Sequence, residues 1–119
     1  KWVLCDRFTD ASRAYQGCGR GLDRDKIETL AEWVHGDLQP DMTVLLDAPA
    51  EVGRQRAEQR SAADRLESEQ SSFYERVRAG YLALAADEPE RFEVIDASRD
   101  LPAVQAQVRQ AMERLFEQY

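Results

Sequence analysis

The chain has 119 residues, 43% of them hydrophobic and 33% charged, with a formal net charge of −7, which suits one soluble domain with one core. An acidic balance of this size argues against a nucleic-acid polymer as partner, and no run approaches the ~20 consecutive apolar residues of a membrane span. No leader pattern of a charged start, an apolar stretch and a small-residue cleavage site is visible, so a cytoplasmic protein is expected.

Trp2-Val3-Leu4-Cys5-Asp6 is the first of three short apolar runs ending in aspartate; the others are Thr43–Asp47 and Phe92–Asp96. The first two are almost continuously apolar, which predicts strands buried on both faces. After the first run comes a polar stretch, Cys5–Asp23, holding Asp6-Arg7, several hydroxyls and amides, and Gly17, Gly19 and Gly21. These glycines lack the spacing of a dinucleotide fingerprint and read as a flexible connecting turn. Ile27, Leu30, Ala31 and Val34 follow helical spacing, with Asp25 and Glu28 placed as a capping box and Gly36 as the stop. His35, the only histidine, reads as a solvated last-turn residue, since no partners for a catalytic triad are found.

Phe73, Val77, Tyr81 and Leu84 predict a second helix, and Val104, Val108, Met112 and Leu115 a third, begun by Asp100 with Pro102 in its first turn. Between helical patterns lies Arg60-Ser61-Ala62-Ala63-Asp64-Arg65, which reads as a mobile loop or flap. Trp2, Trp33 and Phe116 are expected in a core or an interface. Cys5 and Cys18 lack the pairing of a zinc site or disulfide scaffold and read as reduced structural thiols. Strands alternating with helices predict an α/β fold with a parallel sheet of three strands flanked by helices, binding ligands at the carboxyl ends of its strands. Asp6, Asp47 and Asp96 then stand on one functional rim.

The charge distribution points to a ligand. Residues 1–24 and 54–65 are each net +2 within an acidic chain, and arginine supplies eight of their nine basic side chains. Arginine is the side chain suited to bidentate phosphate contacts, so a small phosphorylated ligand is expected. An apolar strand delivering Asp6 to the sheet rim is Walker-B-like, able to hold Mg²⁺ directly or through water, and Arg7 beside it can reach a second anionic group. The sequence contains no G-x-x-x-x-G-K-[ST] loop, the usual backbone cradle for ATP phosphates.

Asp6-Arg7-Phe8, Ser12, Ala14-Tyr15-Gln16-Gly17, Gly19-Arg20-Gly21 and Asp23 resemble the acceptor-binding segment of bacterial thymidylate kinases. The resemblance continues through Leu45–Glu67, Phe73–Ala85 and Val94–Ser98. It implies a P-loop-kinase-like domain over residues 1–119, with an acceptor segment at 5–23, a lid at about 54–67 and a C-terminal strand and helix at 92–119. It also implies phosphoryl transfer from ATP to dTMP with Mg²⁺. Arg7 would grip the 5′-phosphate of dTMP, Ser12 and Gln16 would hydrogen-bond the thymine, and Tyr15 would lie against the deoxyribose or serve as an ordinary core tyrosine. Among the lid arginines Arg56, Arg60 and Arg65, Arg60 would stabilise charge on the transferring phosphoryl group. Arg56 is equally compatible with a helix surface and Arg65 with pairing to Glu67 or Glu69. Asp96-Ala97-Ser98 would pass near the adenine.

The resemblance further implies a homodimer through helices. It places the family's first strand and phosphate loop outside these residues, so that a central strand between Val3–Asp6 and Thr43–Asp47 is expected to be lacking, the gap being closed by strand rearrangement, by association with the missing N-terminal segment or by a second chain. The chain alone is accordingly expected to turn over little. Two alternatives accompany this reading: a non-catalytic binding or assembly module retaining part of the dTMP site, and a kinase acting on thymidine itself.

Overall fold

A computed structural model describes residues 1–60 and 71–119, the side chains of Ala57, Arg60 and Ser71 excepted. In chain order its elements are α1 (Thr9–Ser12), a π-helical segment (Arg13–Gly19), α2 (Arg24–His35), β1 (Thr43–Asp47), α3 (Ala50–Arg60), α4 (Ser71–Asp87), β2 (Phe92–Asp96) and α5 (Leu101–Glu117).

The α/β class holds, but the described sheet has two strands. β1 and β2 pair in parallel, in a register running from Thr43 opposite Phe92 to Asp47 opposite Asp96. The third strand expected at Trp2–Asp6 does not form: Val3 and Leu4 are 90% and 99% exposed. An apolar run becomes a strand only where an edge can take its hydrogen bonds. Here Trp2 instead sets its ring edgewise against Phe116 and Tyr119 at the end of α5, at centroid distances of 4.9 and 5.7 Å. Burial of the strands on both faces is also not observed, since β1 is half-buried and Leu46 and Val94 stay exposed. The radius of gyration of 15.5 Å exceeds the roughly 13.5 Å of a compact chain of this length.

α2 begins at Asp23, whose carboxylate accepts from the Asp25 amide at 2.9 Å, and ends at Gly36 with φ +57°. The cap therefore falls two residues before the predicted box, leaving Glu28 to other work. Ile27 and Ala31 are buried, while Leu30, Trp33 and Val34 are exposed. Helical spacing identified the helix correctly but overstated its buried face. Trp33, at 82% exposure, is outside the core.

α4 follows its predicted pattern most closely. Its Leu84 and Ala85 form the core with Phe92 of β2, and Leu45 of β1 packs partly buried against them. Its other face meets the π-helical segment at near-backbone distance. A Cβ at Gly80 would lie 2.7 Å from Cys18 Sγ and 2.8 Å from Cys18 Cβ, and one at Gly19 would lie 2.6 Å from Phe73. Gly17 and Gly19 are thus helical rather than part of a flexible turn. Only Gly21, with φ +74°, turns the chain out of the helix. Where the segment ends, Arg76 of α4 donates to the Gly19 carbonyl from Nε at 3.2 Å and Nη2 at 3.1 Å, satisfying a carbonyl that a helix end exposes. Gly80→Ala is expected to destabilise the fold by about 1–3 kcal/mol through overpacking, measured by urea unfolding; unchanged stability would refute so close an approach.

α5 starts as predicted, with Asp100 at the N-cap position and Pro102 in the first turn. Its Gln107 brackets the end of β2, accepting from the Asp96 amide at 3.0 Å and donating to the Asp96 carbonyl at 3.2 Å.

Candidate functional site

The segment following Trp2–Cys5 turns sharply at Arg7, whose φ of +62° lies in the left-handed region. A residue with a Cβ held there carries strain of about 1–3 kcal/mol, which surrounding contacts must offset. The turn delivers the Arg7 guanidinium over the Tyr15 ring, 5.0 Å from its centroid. Tyr15 contacts Phe73 at 6.2 Å and Tyr81 at 6.1 Å, both on α4. Arg7 is exposed and enters no ion pair among the described residues. A cation resting on an aromatic face keeps its N–H groups free for an anion.

Ser12 and Gln16, both exposed, occupy the same helical stretch, Ser12 closing α1 and Gln16 within the π-helical segment. A π-helix is uncommon and frequently marks functional positions. Here its wider turn ends with Arg20 N donating to Tyr15 O at 3.0 Å and Leu22 N donating to Gln16 O at 2.9 Å. Arg20 then lies over the Phe73 ring at 5.4 Å. Burial, followed by the neighbouring Tyr15, pushes the Tyr81 hydroxyl up to about 12, so it remains a neutral phenol at physiological pH.

Below this cluster runs a buried charge network that sequence reasoning missed. Asp10 and Arg91, 5% and 8% exposed, pair through two hydrogen bonds of 2.8 and 3.1 Å. Arg91 also donates to Thr43 Oγ1 at 2.9 Å and to Glu88 at 2.5 Å. Arg13 donates to Asp10 at 3.0 Å and grips both oxygens of Glu28 at 2.5 and 3.0 Å. Burial alone would raise the Asp10 pKa, but hydrogen bonds and charge from Arg91 and Arg13 outweigh it and hold the carboxyl below its usual range. The Arg13 hydrogen bond likewise holds Glu28 low. Asp10 and Arg91 stand 81 residues apart, and no local pattern announces a pair so distant. Arg91 immediately before an apolar strand was the available signal.

His35 is also placed differently from expectation. It closes α2 as predicted, yet it is half-buried rather than solvated. Its Nε2 shares a 2.5 Å hydrogen bond with Thr9 Oγ1, and its ring lies 4.7 Å from that of Phe8.

Of the three expected rim aspartates, Asp47 and Asp96 end side by side on the paired strands, whereas Asp6 lies outside any strand. Asp47 is engaged by Arg78 at 2.8 and 3.2 Å. Asp96 accepts from the Ser98 hydroxyl at 2.5 Å and the Ser98 amide at 3.1 Å, and these two bonds lower its pKa. Asp6 is exposed and makes no ion pair among the described residues, which also contain no group of three or more metal-binding side chains. One free carboxylate is compatible with Mg²⁺, which keeps several waters and takes much of its shell from substrate phosphates.

Arg56 of α3 donates to the carbonyls of Ala97 at 2.5 Å and Arg99 at 3.2 Å, tying α3 to the loop after β2. Residues 54–60 of the expected lid are helical, and Arg60 is the last residue of α3. The Arg60 side chain and all of Arg65 lie outside the described residues.

Comparison with known proteins agrees with the resemblance in the motifs. The thymidylate kinase family model matches residues 1–108. The thymidylate kinase of Methylococcus capsulatus is 55% identical over 115 residues, covering 97% of this chain and 55% of that protein. That of Alcanivorax borkumensis is 52% identical over 115 residues, covering 97% and 55%. That of Chromohalobacter salexigens is 56% identical over 108 residues, covering 90% and 51%. The chain spans about half the length of the curated relatives it matches. No described helix is long and apolar enough to cross a membrane.

Proposed function

The chain belongs to the thymidylate kinase family, and from that membership we propose that it supplies the acceptor side and lid of an enzyme moving the γ-phosphoryl group of ATP to dTMP. An oxygen of the dTMP 5′-phosphate attacks the γ-phosphorus, the bond to the β,γ-bridging oxygen breaks, and dTDP and ADP result. Such a transfer needs positioning and charge neutralisation rather than a covalent nucleophile.

The observation that carries this reading is Arg7: exposed, unpaired with any described carboxylate and stacked on Tyr15. In this reading Arg7 binds the acceptor phosphate, Ser12 and Gln16 hydrogen-bond the thymine imide, and Tyr15 lies against the deoxyribose. Arg60 stabilises the transferring charge, with Arg56 and Arg65 as further lid arginines. The Arg56 bonds to Ala97 and Arg99 support a lid helix seated beside the loop after β2. When Mg²⁺ is bound it neutralises phosphate charge, and Asp6 is the residue of this chain that would hold it. A cytoplasmic homodimer accompanies the reading, supported by the exposed Leu30, Trp33 and Val34 on α2.

Calorimetric titration of the 119-residue chain tests the acceptor assignment. We expect dTMP to bind more tightly than thymidine, because only the nucleotide offers Arg7 an anion. Equal affinity, or preference for thymidine, would reject the assignment in favour of a nucleoside acceptor. With no G-x-x-x-x-G-K-[ST] loop in these residues, the isolated chain is expected to release little ADP in a coupled assay; full turnover would contradict this.

A further inference from the structure

We propose that His35 is the positioning residue that holds Arg7 in its left-handed conformation, and through it the grip on the acceptor phosphate. The second half of this statement rests on the acceptor reading above; the first does not.

A φ of +62° at a residue with a side chain persists only where neighbouring structure imposes it. On the upstream side the nearest anchor is Trp2, five residues away, whose ring meets Phe116 and Tyr119; between them residues 3–6 belong to no strand and are exposed, and a 3.4 Å contact from the Cys5 thiol to the Arg7 carbonyl joins two exposed residues. On the downstream side the carbonyls of Phe8 and Thr9 accept from the Ala11 and Arg13 amides, and the side chains of both residues meet one partner, His35. The His35 ring lies 4.7 Å from that of Phe8, and its Nε2 is 2.5 Å from the buried Thr9 hydroxyl. The next residue, Asp10, is fixed from another direction by Arg91. Arg7, whose own guanidinium rests on Tyr15, is therefore the hinge between the less restrained residues 3–6 and a pinned downstream stretch, and the backbone strain collects there.

Imidazole suits this double duty because it offers an aromatic face and a ring nitrogen within one short side chain. His35 also makes these contacts while its own Nδ1 is buried with no hydrogen-bond partner in the described structure. A buried nitrogen left unsatisfied calls for an explanation, and the Phe8–Thr9 clamp supplies one. Gly36 ends α2 one residue later with φ +57°, so the ring stands at the helix terminus facing the acceptor segment.

Three variants separate the contacts. His35→Ala removes both, His35→Phe keeps the ring face, and His35→Gln keeps a polar atom for Thr9. The first readout is the side-chain Nε–H resonance of Arg7 in the ligand-free chain, which the Tyr15 ring current displaces. The second is the ratio of dTMP to thymidine affinity, which a general loss of stability leaves unchanged because it weakens both apparent affinities alike. In His35→Ala we expect the Arg7 resonance to move to the position of a free arginine and the ratio to fall about fivefold, the effect of one net hydrogen bond. His35→Gln should recover part of both. An Arg7 resonance unmoved in all three variants would overturn the proposal. If the unaltered chain shows no preference for dTMP, the acceptor reading fails, and with it the link to phosphate; the resonance still decides whether His35 positions Arg7. Should His35→Ala fail to fold, the other two variants decide: an Arg7 resonance displaced in His35→Phe or His35→Gln supports the proposal, and one unmoved in both overturns it.

Discussion

Replacing Arg7 by alanine is expected to weaken dTMP binding about ten- to a hundredfold while leaving thymidine binding nearly unchanged. A hydrogen bond to a charged partner is worth about 1.5–3 kcal/mol, and Arg7 is free to spend it on a ligand because no described carboxylate competes for it. Arg7→Lys should recover little, since an ammonium neither matches a phosphate bidentately nor lies flat on Tyr15 as a guanidinium does. The folded state should lose no more than about 0.5–1 kcal/mol, the contribution of an exposed cation–π contact, because the side chain is exposed and rests, among the described residues, only on Tyr15. Calorimetry with both ligands and a thermal melt of each variant read these outcomes. An Arg7→Ala chain that binds dTMP and thymidine in their original ratio would remove the basis for an acceptor site here.

The second large effect concerns the fold. Arg91→Met is expected to cost about 3–5 kcal/mol, because it leaves the Asp10 carboxylate buried with only Arg13 beside it. The double variant Asp10→Leu/Arg91→Met should be markedly more stable than Arg91→Met alone, since a buried ion pair and an apolar pair of similar volume are often close in energy. The pH dependence has a definite sign. Asp10 has a folded pKa below its unfolded value of about 3.9, so its contribution is fully present above about pH 4 and is lost as pH falls through the lower folded value. Without Arg91 the folded pKa rises, and the acid limb of unfolding should move to higher pH. Urea unfolding at pH 7 and between pH 5 and pH 2.5 measures both effects. Single and double variants of equal stability would show that the pair contributes nothing to holding α1 against the turn before β2.

This network and the motif residues around Arg7 belong to different kinds of information. Asp6-Arg7, Ser12, Tyr15 and Gln16 were identifiable because they belong to family motifs whose residues sit close together in the chain, so their spacing survives in the linear order. The helices over Phe73–Leu84 and Val104–Leu115 were identifiable for a similar reason: a repeat of three and four residues is a local property. The strand at Phe92–Asp96 and that at Thr43–Asp47 carried enough apolar and β-branched residues to be read directly. Trp2–Asp6 carried the same signal and formed no strand, because a strand also requires an edge, and the edge is supplied by residues elsewhere.

From its order of residues alone this chain determined its α/β class, its long helices, its two arginine-rich islands and its family motifs. Folding in three dimensions decided which flank of α2 is buried, that Gly19 and Gly80 let two helices touch, that Asp10 meets Arg91, and that His35 faces Phe8 and Thr9. The physical reason is range: helical periodicity and ligand motifs depend on neighbours a few residues away. Burial, charge pairing and backbone strain depend on which distant surfaces meet, and those meetings leave no spacing in the sequence to be read.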